Sequence, residues 1–153
     1  LVLLQAATAA AADIQLKGAR GETATLSATE FAAMPRVKFT FAAHGESHDF
    51  EGPRLIDLLA KVGVPTDKPI GGAALANVVI VTASDGYRVT FGLAELDPAT
   101  RPNRVIVADK SDGQPLRDKD GAFKLVAEGD LRPARSVRMV QSIEVRDLGA
   151  AGR

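Results

Sequence analysis

What most limits the folds open to this chain is how often it turns. "SDG" recurs at residues 84–86 and 111–113, "KDG" stands at 119–121, and Gly-bearing breaks interrupt the text at 18–21 and at 44–45. Between these signals, about every ten to fifteen residues, lie short runs that alternate apolar with polar side chains, the period of strands with one covered face. Asp-Gly is a hairpin-closing pair because both turn positions tolerate positive φ. A chain punctuated this way builds an antiparallel or mixed sheet, and only two segments have the period of a helix. The expected class is therefore α+β, a single sheet-based domain with two or three short helices.

The elements follow in order. "DIQLKGARGETATLS" reads as two short strands around a Gly turn. In "SATEFAAMP", Ser27 and Glu30 stand at capping-box spacing, Phe31 and Met34 share a helical face, and Pro35 stops the helix. "RVKFTFAA" and "HDFEG" alternate and fit a hairpin. "PRLIDLLAKVG" opens on Pro53, lines up Leu55, Leu58, Leu59 and Val62, and ends on Gly63, which predicts a capped helix. "PTDKPIGGAALAN" reads as a surface loop. The apolar run in "NVVIVTASDGYRVTF" predicts a strand buried on both faces and its return strand. Two further hairpins are expected around the later "SDG" and "KDG", and "ARSVRMVQSIEVR" supplies a final strand.

Composition excludes several functions. Of the 153 residues, 19 are basic and 19 acidic, so no surplus charge is available to hold a polyanion or an anionic bilayer. One Tyr, six Phe and no Trp leave little material for stacking on bases. Nucleic acid is not an expected partner. The absence of cysteine removes disulfides, zinc-thiolate sites, iron-sulfur clusters and thiol nucleophiles together. "LVLLQAATAAAAD" reads as the back half of a secretory signal ending at Ala12 and is too short to span a bilayer. The expected organisation is a signal remnant at 1–12, one domain at 13–147 and a frayed tail at 148–153, in a periplasmic or secreted protein.

Two clusters carry chemistry. "HGESH" holds both histidines of the chain. As a strand it would put His44, Glu46 and His48 on one face, a set of three ligands for a divalent metal such as copper or zinc. At a hairpin tip the two histidines would face each other across a three-residue loop. Gly45, Glu46 and Ser47 are equally ordinary turn chemistry that needs no ligand. In "EGDLRPARSVR", Arg132, Arg135 and Arg138 recur at intervals of three. They would form an oxyanion clamp or a set of solvated side chains balanced by Glu128 and Asp130. No phosphate-cradling glycine loop, nucleophile elbow or zinc-protease helix is present, and the Ser, His and Asp residues show no triad spacing.

The order "FEGPRLIDLLAKVGV", "SDGYRVTFGLAEL", "VIVADKSDGQPL", "GAFKLVAEGD", "ARSVRMVQSIEV" resembles the oxidoreductase molybdopterin-binding domain family, with its sulfite oxidase-type fold, over about residues 20–147. The family's helix reads G-V-x-L-x-x-L-L. A D-G-Y hairpin follows, and an L-A-Y-x-x-N-G-x-P-L segment precedes paired R-L-V-x-P and K-W-V strands. The resemblance implies molybdopterin as cofactor and a pocket bordered by Asp85, Gly86, Tyr87, Asp109, Arg132, Arg135 and Ser136. It also implies a molybdenum-ligating cysteine before the "EGPRLIDLL" helix, near Ala42 or Ala43, which this chain lacks. Val107, Ala108 and Asp109 stand where the family has L-A-Y, and Ser136 replaces its tryptophan.

Three functions follow as expectations. The first is a non-catalytic binding or accessory module for an anionic small molecule or a partner protein, such as a periplasmic redox protein. The second is a molybdenum oxidoreductase with a non-cysteine ligand. The third is a metal-binding protein using His44, Glu46 and His48.

Overall fold

The computed structural model describes residues 12–149, so the leader-like stretch, apart from Ala12, and most of the tail lie outside the described residues. The chain begins with the hairpin β1 (Ile14–Lys17) and β2 (Thr23–Leu26), followed by helix α1 (Ala28–Ala32). Ser27 caps α1 by accepting from the Glu30 N–H at 3.2 Å, and Phe31 is buried against Phe123 with ring centroids 4.6 Å apart. β3 (Val37–Ala43) and β4 (Glu46–Gly52) form a hairpin paired over its full length. Helix α2 (Leu55–Leu59) buries Leu55, Ile56, Leu58 and Leu59. It runs on into a 3-10 turn at residues 60–62 that Gly63 ends at φ 95°, the left-handed cap expected of it.

β5 (Asn77–Ala83) and β6 (Arg88–Gly92) follow, then β7 (Val105–Ala108), the two-residue strands β8 (Lys110–Ser111) and β9 (Gln114–Pro115), β10 (Lys124–Ala127) and β11 (Val140–Asp147). Strand order in the larger sheet is β2-β1-β11-β5-β6. Within it only β1 and β11 run parallel. A second sheet has the order β3-β4-β8-β9, and β7 pairs with β10. The class is α+β, as the turn signals require.

The doubly buried strand is β7, whereas the apolar run at residues 77–83 had been expected to fill that role. β5 buries Val79, Val81 and Ala83 but leaves Val78, Ile80 and Thr82 partly exposed, because no layer fully covers its second face. All four residues of β7 are buried. Val105 and Val107 join the main core, which also holds Leu16, Leu58, Val79, Phe91 and Ile143. Ile106 and Ala108 join a small second core with Phe39, Phe41, Phe50 and Val126. β7 and β10 are thus the wall between two apolar regions, and burial on both faces is what a continuous apolar strand needs.

β4 is laid alongside this wall by backbone bonds from the Val107 N–H to Pro53 O, the Asp109 N–H to Glu51 O, and the Asp112 N–H to Asp49 O, at 3.0, 3.0 and 2.7 Å. Gly52 permits the approach, since a Cβ there would lie 1.9 Å from the Val107 carbonyl oxygen. The expected loop at 65–77 contains a 3-10 turn at 72–76. It is anchored by Ile70, whose N–H donates to the buried carboxylate of Asp97 at 2.6 Å. The "KDG" at 119–121 closes no hairpin. Asp118–Asp120 form a 3-10 turn that carries the chain from β9 to β10.

Candidate functional site

The inward face of the β3-β4-β8-β9 sheet is only partly covered, and what it leaves open is a cleft. Phe41 and Ala43 on β3 and Glu46, His48 and Phe50 on β4 line one side. His44, Ser111, Asp112 and residues 114–120, with Lys124, Pro133, Ser136 and Arg138, line the rest of this chamber of about 490 Å³. A second chamber of about 290 Å³ adjoins it, bordered by Asp85, Tyr87, Ala134 and Met139. Lys119, Lys124, Pro133, Ser136 and Arg138 border both. The two chambers are therefore one cleft with a shared cationic wall.

Charge is unevenly distributed along it. The larger chamber sets Arg117, Lys119, Lys124 and Arg138 against Glu46, Asp112, Asp118 and Asp120. In the smaller one three cations meet a single carboxylate, Asp85. Lys124 rests its ammonium 4.9 Å from the centroid of Phe50, a cation–π seat that holds the charge at the cleft wall. Among the described residues, Lys119 and Arg117 make no ion pair. Tyr87 hangs from the tip of the β5/β6 hairpin, where Gly86 takes φ 91° and Asp85 accepts from the Tyr87 N–H at 3.0 Å. Its hydroxyl donates to the Ala134 carbonyl at 2.5 Å, strapping the hairpin to the turn at 133–135 beside the smaller chamber.

Every non-glycine residue with positive φ among the described residues borders this cleft: His44, Asp112, Asp118 and Met139, at 54°, 51°, 58° and 52°. His44 and Asp112 precede glycines in two-residue hairpin turns, where the conformation is required. Met139 has no such turn to satisfy. Its left-handed backbone costs on the order of 1–2 kcal/mol and is held because its N–H donates to Asp120 O and its carbonyl accepts from the Ser84 N–H, at 2.9 and 3.0 Å.

The sequence-derived candidates separate into three groups. Asp85, Tyr87 and Ser136 border the smaller chamber, and Gly86 makes the turn that presents Tyr87. Asp109 instead binds Arg36, which also donates to Glu51 at 2.7 Å. That bond holds the Glu51 carboxyl below the usual range. Arg135 points away from the cleft: it makes a bidentate pair with Asp130 at 2.8 and 3.0 Å, reaches Glu95 at 3.3 Å and lies 4.3 Å from the centroid of Phe91. Arg132 is exposed and lines neither chamber. Of the arginine trio only Arg138 faces the cleft. Lys119 and Lys124, which no sequence motif singled out, supply the remaining charge. The clue available was that Lys124 opens a strand of otherwise buried residues.

His44, Glu46 and His48 are not brought together as a ligand set. The hairpin turn has two residues, His44 and Gly45, in place of the three-residue loop considered above, because Ala43 pairs with Glu46. His44 sits at the tip. His48 Nδ1 is 2.7 Å from Asp112 Oδ2, and its Nε2 is 3.4 Å from Glu46 Oε2. Asp112 and then Glu46 raise the His48 pKa, while Asp112 is held low by the Asp49 N–H and by His48. Among the described residues no group of three His, Cys, Asp or Glu side chains is arranged to hold a metal ion.

The donor set does not fit a molybdenum–sulfur bond either. Ala43 lines the larger chamber where the resemblance would place a thiolate, and Ala42 is exposed. The one sulfur at the cleft is the Met139 thioether, a neutral and weak donor.

The fold is α+β and resembles the sulfite oxidase type, and its cleft is an open, polar site. Among solved structures, the sulfane dehydrogenase SoxCD from Paracoccus pantotrophus matches with a TM-score of 0.69 and 16% identity over 89% of this chain. The match spans 38% of that chain, well under half its length. No protein-family model and no curated protein matches the sequence. No helix among the described residues is long and apolar enough to cross a membrane.

Proposed function

We propose that this chain is an exported binding module that has kept the sulfite oxidase-type scaffold without its metal ligand and holds an anionic small molecule in the cleft. The observation that carries this reading is the smaller chamber, whose wall sets Lys119, Lys124 and Arg138 beside Asp85, with Asp120 as the carboxylate shared by Lys124 and Arg138. Ser136 adds a hydroxyl donor and Tyr87 an aromatic edge. Cations in a concave, partly desolvated wall attract an oxyanion more strongly than the same charges on open surface. A periplasmic or secreted setting, with a redox partner protein nearby, belongs to the same proposal.

Titration calorimetry with inorganic phosphate tests it. The wild-type protein binds, and Lys124→Ala weakens binding about tenfold, the loss of one charge-assisted contact. Wild-type protein that binds no anion contradicts the reading. So does stoichiometric molybdenum and pterin in protein purified from a cofactor-competent host, which would favour an oxidoreductase with a non-cysteine ligand.

A further inference from the structure

We propose that Asp120 is the cleft's resident counter-charge, standing where a ligand's oxyanion would sit, and that it thereby holds down the cleft's affinity for anions until a ligand displaces it. The inference rests on the anion-binding reading above. One oxygen of Asp120, Oδ1, lies 3.4 Å from Lys124 Nζ and 3.4 Å from Arg138 Nε. Two bidentate ion pairs of the same molecule are tighter. Arg104 grips Glu128 through two contacts of 2.8 Å, and Arg135 grips Asp130 at 2.8 and 3.0 Å.

A single oxygen shared between two cations at 3.4 Å makes a long, weak contact with each. An ammonium offers three donors and a guanidinium five, so Lys124 and Arg138 keep most of their capacity for another acceptor. The backbone of Asp120 is fixed independently, since its carbonyl accepts from the Met139 N–H at 2.9 Å. The carboxylate can therefore yield its place without the turn moving.

A tethered carboxylate competes with any ligand at an effective concentration of about millimolar or above. The penalty is the same factor for every anion that must displace it. A phosphate dianion brings about twice the Coulomb attraction and enough oxygens to meet Lys124 and Arg138 separately. Asp118 lines the same chamber without an ion pair to either cation, which makes it the internal control for net charge.

The test titrates wild type, Asp120→Asn, Asp120→Ser and Asp118→Asn with inorganic phosphate and, separately, with acetate at mildly alkaline pH. Both Asp120 variants bind phosphate and acetate about tenfold more tightly; Asp118→Asn gains about twofold. Equal gains at the two positions, or weaker binding in the Asp120 variants, overturn the inference while leaving anion binding intact. No binding by any of the four proteins overturns the anion-binding reading and this inference with it.

Discussion

The two sides of the β7/β10 wall use the same kinds of residue to opposite ends. On one side, the five-stranded sheet closes on α1, α2 and the loop around Ile70, and its core leaves Ile14, Phe31, Leu58 and Val79 with no exposure. On the other side, the β3-β4-β8-β9 sheet buries Phe39, Phe41 and Phe50 against Ile106, Ala108 and Val126, with Val37, Ala43 and Leu116 packed around them. Its remaining inward surface becomes the cleft floor. The contrast shows how one scaffold separates tasks: close packing secures the fold on one side, and incomplete coverage on the other leaves room for a ligand. All the left-handed non-glycine residues described fall on the open side.

The largest expected effect separates these two regions. Phe31→Ala removes a fully buried ring packed at a tilt against Phe123 and costs about 3–5 kcal/mol in denaturant unfolding. Phe41→Ala, at the edge of the cleft, costs about half of that, because the vacated volume opens onto the chamber and fills with water. Equal losses at the two positions would mean that the second core is as tightly closed as the first.

A smaller effect divides the arginines. Arg135→Ala lowers stability by about 1–2 kcal/mol through its bidentate pair and its seat on Phe91 and leaves phosphate affinity unchanged. Arg138→Ala does the reverse, with stability within about 0.5 kcal/mol of wild type and weaker binding. Paired unfolding and titration measurements on the two variants decide the matter, and a loss of phosphate binding in Arg135→Ala would return that residue to the site.

The smallest effect is the pH response of the His48–Asp112 contact. The folded-state pKa of His48 is raised, so its contribution is complete below about 6.5 and fades as pH climbs through the raised value. Asp112 is lowered, so its share is present above about 3.8 and is lost on acidification. Both groups are exposed, and the melting temperature shifts by a degree or two at most. His48→Gln removes the alkaline part of the dependence; a variant whose pH profile matches wild type would show that this contact adds nothing.

Much of the fold was legible because turn chemistry is local. Ser27 with Glu30, Gly63, and the "SDG" at 84–86 each act within a few residues and form the cap or turn expected. Pro53 instead stands one residue ahead of the N-cap, Arg54, and does not open the helix itself. β7 was misjudged in favour of β5 because burial on both faces depends on what packs against a strand, and the four residues of β7 are too short a run to stand out. The cleft was the least legible part. Its cationic wall joins residues 119, 124 and 138 with Tyr87 across four segments, a closeness set by sheet topology. The regular spacing of Arg132, Arg135 and Arg138 misled for a related reason: the 3-10 turn at 133–135 sends Arg135 toward Asp130 and Glu95, partners that spacing alone does not reveal.

Backbone amide chemical-shift mapping during a phosphate titration tests the central claim most directly. The account predicts saturable shifts concentrated at Tyr87, Lys119, Asp120, Lys124, Ser136 and Arg138, with the Leu16, Val79 and Ile143 amides unmoved. Shifts scattered over the surface basic residues, or none at saturating phosphate, would contradict it.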